Sequence, residues 1–257
     1  MNQGVRNAGR LVGMLAVAVL ALQLFFFLRI VLMTVVAPES TTFQRSEIWR
    51  IVLEKHQLPW SQESVPGNRI SDNLRRAVIA SEDAGFVDHH GVEWGAVEKA
   101  WSKNEKAEAR AEVQQSRLAA STRRNPNGKP NVVVPKVVGG STISQQLAKN
   151  LFMSGERTVL RKAQELVITM MLELLLGKDR ILTTYLNNVE WGEGVFGAQA
   201  ASQHYFRTQA AFLGPAQAAR LAVMLPAPKR FEKTPSSPYL IGRSATIVAR
   251  MGGVDLP

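Results

Sequence analysis

The sequence predicts a mainly α chain with one N-terminal transmembrane helix. A nearly unbroken apolar run covers Leu11 to Ala37. Beyond residue 70, apolar residues recur at helical spacing between glycine and proline punctuation, and convincing strand alternation is scarce.

The apolar run is interrupted only by Gln23, Arg29 and Thr34. Roughly 20 apolar residues suffice to cross a bilayer as a helix. A cleaved leader would have an apolar core of only ~7–15 residues followed by small residues. Here Phe25-Phe26-Phe27 occupies that place, so the run reads as a retained anchor. Arg6 and Arg10 precede it with no acid, whereas Glu39, Arg45 and Glu47 roughly cancel after it. The positive-inside tendency therefore puts residues 1–10 in the cytoplasm and residues 38–257 outside. Arg29 reaches the outer interface if the effective span is 11–28.

Residues 38–70 read as a mixed segment punctuated by Pro38, Pro59 and Pro66-Gly67. Ser71 is a candidate N-cap for a helix over Asn73 to Asp83, with Gly85 as its stop signal. A second helix begins near Val92 and carries Trp94, Val97 and Trp101. Residues 102–136 hold eight basic and three acidic side chains, half of the chain's positive excess. Their first half suits a solvated helix, and Arg123 to Pro135, with its Asn-Pro, Asn-Gly and Lys-Pro steps, suits a loop. This basic insert is expected to be mobile and to lie near anionic head groups. Further helices are expected from Ser141 or Thr142 to Met153, Thr158 to Leu176, Asp179 to Val189, Ala198 to Phe206, Pro215 to Leu225 and Leu240 to Met251.

The 257 residues suffice for one domain plus an anchor. A formal charge of +10 favours an anionic partner, and the expected topology directs it toward lipid head groups and envelope polymers rather than nucleic acid. With no cysteine, a disulfide framework, thiol catalysis and a Cys-based zinc site are excluded. Four histidines make no His-rich metal site.

Three segments carry candidate chemistry. Glu82 follows Val78 and Ile79 on one helical face and lies in a last turn, where the helix dipole disfavours negative charge. Both effects suit a general base poised nearer neutrality. The competing reading is an exposed helix end, with Asp83 closing the turn. The segment Ser141 to Asn150 sets Ile143, Leu147 and Leu151 on one stripe and Thr142, Gln145, Gln146 and Lys149 on a polar face. Beside a helix N-terminus, that face suits an anionic or sugar ligand, or is simply an amphipathic surface. Arg157, Arg161 and Lys162 crowd a helix start, where the dipole disfavours cations, so a bound anion would explain them. Glu165 borders the apolar face of Ile168 and Leu172 and has Arg161 one turn before it. Two carboxylates with cations between them fit glycosidic-bond chemistry, although Arg161–Glu165 is also an ordinary surface pairing.

Taken in order, these segments resemble the peptidoglycan glycosyltransferases of family 51, in their monofunctional form. A first family motif is matched by Glu82, Asp83, Phe86, His89 and Gly91. A second is matched by Gly140-Ser141-Thr142-Ile143, Gln145-Gln146-Leu147 and Lys149-Asn150, and a third by Arg157-Thr158 and Arg161 through Glu165. A fourth runs from Lys178 through Ile181-Leu182 to Tyr185-Leu186-Asn187, followed by Gly192, Gly194, Gly197, Ala200-Ala201 and Tyr205-Phe206.

The resemblance covers roughly residues 70–230. It implies a lysozyme-like α domain that polymerises lipid II into glycan strands at the bacterial inner membrane, releasing undecaprenyl diphosphate. It implies Glu82 as general base on the acceptor 4-hydroxyl, with inversion at the donor sugar. Lys149 and Arg157 would hold the donor pyrophosphate, and Glu165 would assist the leaving group, directly or through a cation. Ser141, Gln145, Gln146, Asn150, Arg161 and Lys162 would bind substrate. It also implies that some members respond to a divalent cation, Mg or Mn, although the sequence shows no dedicated metal site. Cell-wall synthesis or division proteins are possible partners.

Ala84-Gly85 stands where a basic residue is common, and Thr183 where Glu is frequent. No Ser-x-x-Lys or Lys-Thr-Gly is present, so penicillin binding is not expected. A lytic enzyme would need no pyrophosphate site, and a non-catalytic scaffold no pair of carboxylates. Lys149 and Arg157 weigh against the first alternative, and Glu82 with Glu165 against the second.

Overall fold

A computed structural model describes residues 3–122, 140–153 and 158–257. The chain forms two compact units: residues 1–91 with 143–257, and residues 92–142.

Helix α1 (Gln3–Met33) contains the apolar run and, from Arg6 to Met33, is long and apolar enough to cross a membrane. It ends at Met33, so Thr34 to Ala37 lie beyond it. Residues 38–70 hold a helix that the sequence reading missed, α2 (Thr42–Lys55). A capping box starts it: Thr41 Oγ1 accepts from Gln44 N at 3.1 Å and Gln44 Oε1 accepts from Thr41 N at 2.7 Å. Its burial is atypical, because Gln44, Glu47 and Ile51 turn inward while Trp49 and Leu53 stay exposed. Apolar periodicity therefore gave no signal there.

Strand β1 (Ser61–Gln62) precedes α3 (Asp72–Glu82). Ser71 caps α3 as expected, its Oγ accepting from Asn73 N at 3.2 Å. Gly85 is not the stop: Asp83 is the C-cap, and its side chain is drawn to other partners described below. Leu74, Ala77, Val78 and Ile79 are buried on α3.

The second unit carries α4 (Trp94–Thr122), with Trp94 and Trp101 exposed. Residues 123–139 lie outside the described residues, including all of the basic loop expected at Arg123 to Pro135.

The first unit resumes with α5 (Ile143–Phe152), α6 (Val159–Leu175) and α7 (Lys178–Asn188). Thr158 caps α6, its Oγ1 accepting from Arg161 N at 3.2 Å. Strands β2 (Glu190–Gly192) and β3 (Val195–Phe196) complete a small sheet in the order β1-β3-β2. β1 runs parallel to β3, and β2 antiparallel to it. Two glycines here are sterically required. Gly194 has φ +75° and a Cβ would lie 1.9 Å from Pro59 O, while Gly197 has φ +85° and a Cβ would lie 2.7 Å from Asn187 O.

Helices α8 (Ala198–Phe206), α9 (Pro215–Met224), α10 (Pro228–Phe231) and α11 (Pro238–Met251) close the chain. α3 packs on α9 and α11, while α5 packs on α2, α6 and α7. These layers bring the end of α3 to the flank of α5.

Candidate active site

Glu82 stands at the C-terminal end of α3, above the buried Val78 and Ile79. Its Oε2 accepts from Gln146 Nε2 at 3.0 Å. Gln146 Oε1 in turn accepts from the Tyr185 hydroxyl at 2.9 Å. With its carbonyl engaged by Tyr185, the amide can present only its NH2 to Glu82. Burial pushes the Glu82 carboxyl above its ordinary range; the Gln146 hydrogen bond opposes this, the Asp83 charge reinforces it, and Arg243 on α11 moderates it. Tyr185 is fully buried and held well above the ordinary phenol range by that burial and by the nearby carboxylates.

Asp83 is not a simple turn cap. Its Oδ1 lies 2.8 Å from His89 Nε2 and its Oδ2 accepts from Ile143 N at 2.9 Å. It therefore ties the turn after α3 to the first residue of α5, where helix N–H groups lack partners. His89 Nδ1 accepts from Gly91 N at 3.1 Å, which leaves the Nε2 proton for Asp83. Burial raises the Asp83 carboxyl, with His89 and the Ile143 amide pulling against it.

The fourth motif contributes a second tie. Lys178 Nζ donates to His89 O at 2.6 Å and to Glu173 Oε1 at 2.9 Å, and sits 4.5 Å from the Phe86 ring centroid. Glu173 Oε1 also accepts from Ser144 Oγ. Lys178 thus fixes the loop behind Glu82 rather than facing it.

Helix α5 forms the common wall. Gln146, Lys149, Asn150 and Met153 recur at three- and four-residue spacing, so they share one side of the helix. Lys149 is exposed; Gln145 and Asn150 are buried. At the far end of this row, Arg161 Nη1 approaches Met153 Sδ at 3.9 Å and donates to Glu165 Oε2 at 3.2 Å. Lys162 Nζ donates to the other oxygen, Glu165 Oε1. Glu165 is only 3% exposed, so this is not the exposed pairing that its spacing alone allowed. A contiguous series thus runs from Glu82 through Gln146, Lys149 and Met153 to Arg161 and Glu165.

Of the remaining sequence candidates, Ser141 is exposed and belongs to the second unit. Arg157 lies outside the described residues. Arg243 was not singled out by sequence reasoning, and Tyr185 was matched only as part of the fourth motif, with no role of its own. A tyrosine in a motif beside Asn187 was visible, but its target was not.

A resident divalent cation does not suit Glu165, since both of its oxygens are already engaged by cationic side chains. Among the described residues, no three His, Cys, Asp or Glu side chains gather in a metal-binding group.

The sequence profile of the transglycosylase family matches residues 52–122 and 130–252. The chain is 48% identical over 252 residues to a biosynthetic peptidoglycan transglycosylase of Cupriavidus metallidurans, covering 96% of this chain and 97% of the relative. It is 46% identical over 242 residues to the protein of that name from Paraburkholderia xenovorans, covering 94% and 90%. With that of Cupriavidus pinatubonensis it shares 47% over 261 residues, covering 98% and 92%.

Proposed function

This chain belongs to the transglycosylase family and is a peptidoglycan glycosyltransferase acting on lipid II and the nascent glycan strand, and we propose that Glu82 is its general base. The observation that carries this reading is the Glu82–Gln146 contact at 3.0 Å, because it joins the carboxylate to the same helix that bears Lys149.

Glu82 takes the proton of the acceptor 4-hydroxyl. The freed oxygen attacks the anomeric carbon of the donor sugar from the face opposite the pyrophosphate, so configuration inverts. As the new glycosidic bond forms, the bond to the pyrophosphate breaks and undecaprenyl diphosphate leaves. A carboxyl raised by burial is a stronger base than an ordinary one.

Charge grows on the departing diphosphate, and Lys149, Arg157, Arg161 and Lys162 supply the opposing charge. Glu165 acts through two of them: its buried carboxylate aims Arg161 and Lys162 and restrains their freedom. Gln145 and Asn150 complete the substrate-binding set. The apolar helix anchors the enzyme in the bacterial inner membrane, with its first residues in the cytoplasm and the catalytic domain outside.

The test is polymerisation of labelled lipid II by the full chain and by Glu82→Gln. The parent is expected to make polymer, not fragments. The variant should lose about 10²–10⁴-fold in rate, the usual worth of general-base assistance. Normal polymerisation by Glu82→Gln would remove Glu82 from the chemistry.

A further inference from the structure

Gln23 interrupts the apolar run of α1, and its side chain is not left to the lipid. Gln23 Nε2 donates to Gln164 Oε1 at 2.8 Å, and Gln164 Nε2 donates back to Gln23 Oε1 at 3.1 Å. This reciprocal pair heads a docked stripe at helical spacing: Gln23, Phe26, Ile30 and Met33. Phe26 meets Phe152 of α5 edge to face, with ring centroids 5.3 Å apart. Ile30 is fully buried. The Met33 carbonyl accepts from Arg180 Nε at 3.1 Å and from Arg180 Nη2 at 2.9 Å. The last three turns of the anchor therefore lie against the enzyme domain.

A span of ~20 residues counted from Arg6 ends near Phe26, and one counted from Leu11 ends near Ile30. On either count, Gln23 lies one or two helical turns beneath the outer edge of the hydrocarbon. Exposed Val159 and Leu160, at 86% and 83%, begin α6, and Leu160 lies one turn before Gln164 on it. An apolar stripe alone tolerates sliding and rotation against its partner. A primary amide in hydrocarbon does not, because any register that separates it from a partner leaves four hydrogen-bonding positions unmet.

Gln164 directly precedes Glu165 and follows Arg161 and Lys162 within one turn. We propose that Gln23 is a positioning residue. Its amide clasp with Gln164 sets the register of the anchor against α6 and holds the Arg161–Lys162–Glu165 cluster at one depth relative to the lipid surface. The pyrophosphate of a lipid-linked donor lies at that surface, so the consequence for catalysis rests on the glycosyl-transfer reading above.

The test uses the full chain in vesicles of phosphatidylethanolamine and phosphatidylglycerol. The chain has no cysteine, so a Phe26→Cys, Phe152→Cys pair joined by a short thiol–thiol crosslinker reports docking without background. Gln23→Leu and Gln164→Leu each orphan one amide. Each should cut the crosslink yield and raise KM for the lipid-linked substrate about 3–20-fold, the range carried by amide bonds between membrane helices, with kcat changed less than about 3-fold. Gln23→Leu/Gln164→Leu leaves no amide unpaired but also no clasp to set the register, so it should be about as impaired as one single variant and not restored to the parent. Parent-like crosslinking and KM in Gln23→Leu would overturn the proposal. So would a double variant as impaired as the two singles combined, which would point to lost packing instead. Failure of the parent to polymerise would sink the glycosyl-transfer reading, and the crosslink cycle, which needs no turnover, would still decide the clasp.

Discussion

Tyr185→Phe removes one oxygen that does not touch the base, yet it should move the pH at which the base works. The Tyr185 hydroxyl holds Gln146 Oε1 at 2.9 Å, and this helps to keep the Gln146 NH2 turned toward Glu82 Oε2. Without the hydroxyl, the amide is free to turn over and present its carbonyl to the carboxylate. The anion then loses a hydrogen bond worth about 1.5 kcal/mol, because bonds to charged groups sit at the upper end of the usual range. One pH unit corresponds to about 1.4 kcal/mol, so the Glu82 carboxyl should rise by about one further unit.

The base is already raised by burial, and it works only when ionised. The acid limb of the kcat/KM profile should therefore shift by about one unit to higher pH, while the alkaline plateau falls less than about 10-fold. Tyr185 itself does not titrate in this window, being held well above the ordinary phenol range. Initial polymerisation rates on labelled lipid II between about pH 5 and 9 measure the limb, and a denaturant titration should show a loss of about 1 kcal/mol from the missing bond. A folded variant whose profile superimposes on the parent would refute the chain from Tyr185 through Gln146 to Glu82.

Two further outcomes follow from other contacts. Asp83→Asn keeps the size of the side chain but cannot accept from both His89 and Ile143 as a carboxylate does, so stability should fall by about 2 kcal/mol in denaturant titration. An unchanged midpoint would show that this tie does not hold the end of α3 to α5. Glu190 is buried beside Glu47, with Lys229 Nζ 3.3 Å from its Oε1, and burial pushes its carboxyl up to about 7. The folded protein thus holds this proton more tightly than the unfolded chain, and stability is lost as pH rises from the ordinary carboxylate range through about 7. Glu190→Gln should leave the melting temperature nearly unchanged at pH 5 and raise stability above pH 7, by at most about 3 kcal/mol; equal effects at both pH values would contradict this assignment.

Much of the helical framework was legible because its signals are local. Ser71 was read as a cap next to an apolar stripe and it forms one, and Thr158, read as the first residue of a helix, turns out to cap it. The apolar run announced α1 by length and composition. The missed helix α2 is instructive: Thr41 and Gln44 spelled a capping box, but the helix buries Gln44 and Glu47 and exposes Trp49 and Leu53, so its apolar pattern carried no period. Gly85 misled as a stop signal because the helix ends when Asp83 turns to serve His89 and α5, partners that lie 6 and 60 residues away.

The residue sequence by itself determined the candidates: a carboxylate after an apolar face, an amide- and lysine-bearing helix, and a crowd of cations at a helix start. Each is a property of a few neighbouring positions, and so is the length of the anchor. Only the tertiary structure decided which of them meet. It set Gln146 between Tyr185 and Glu82, buried Glu165 between Arg161 and Lys162, and turned Gln23 from a blemish in a membrane span into half of an amide pair. The contacts of Gln146 and of Gln23 join residues 39 to 141 positions apart, and pairing at that range is set by how whole helices pack. Periodicity along any one helix reports the face that turns inward but not the side chain it will find there.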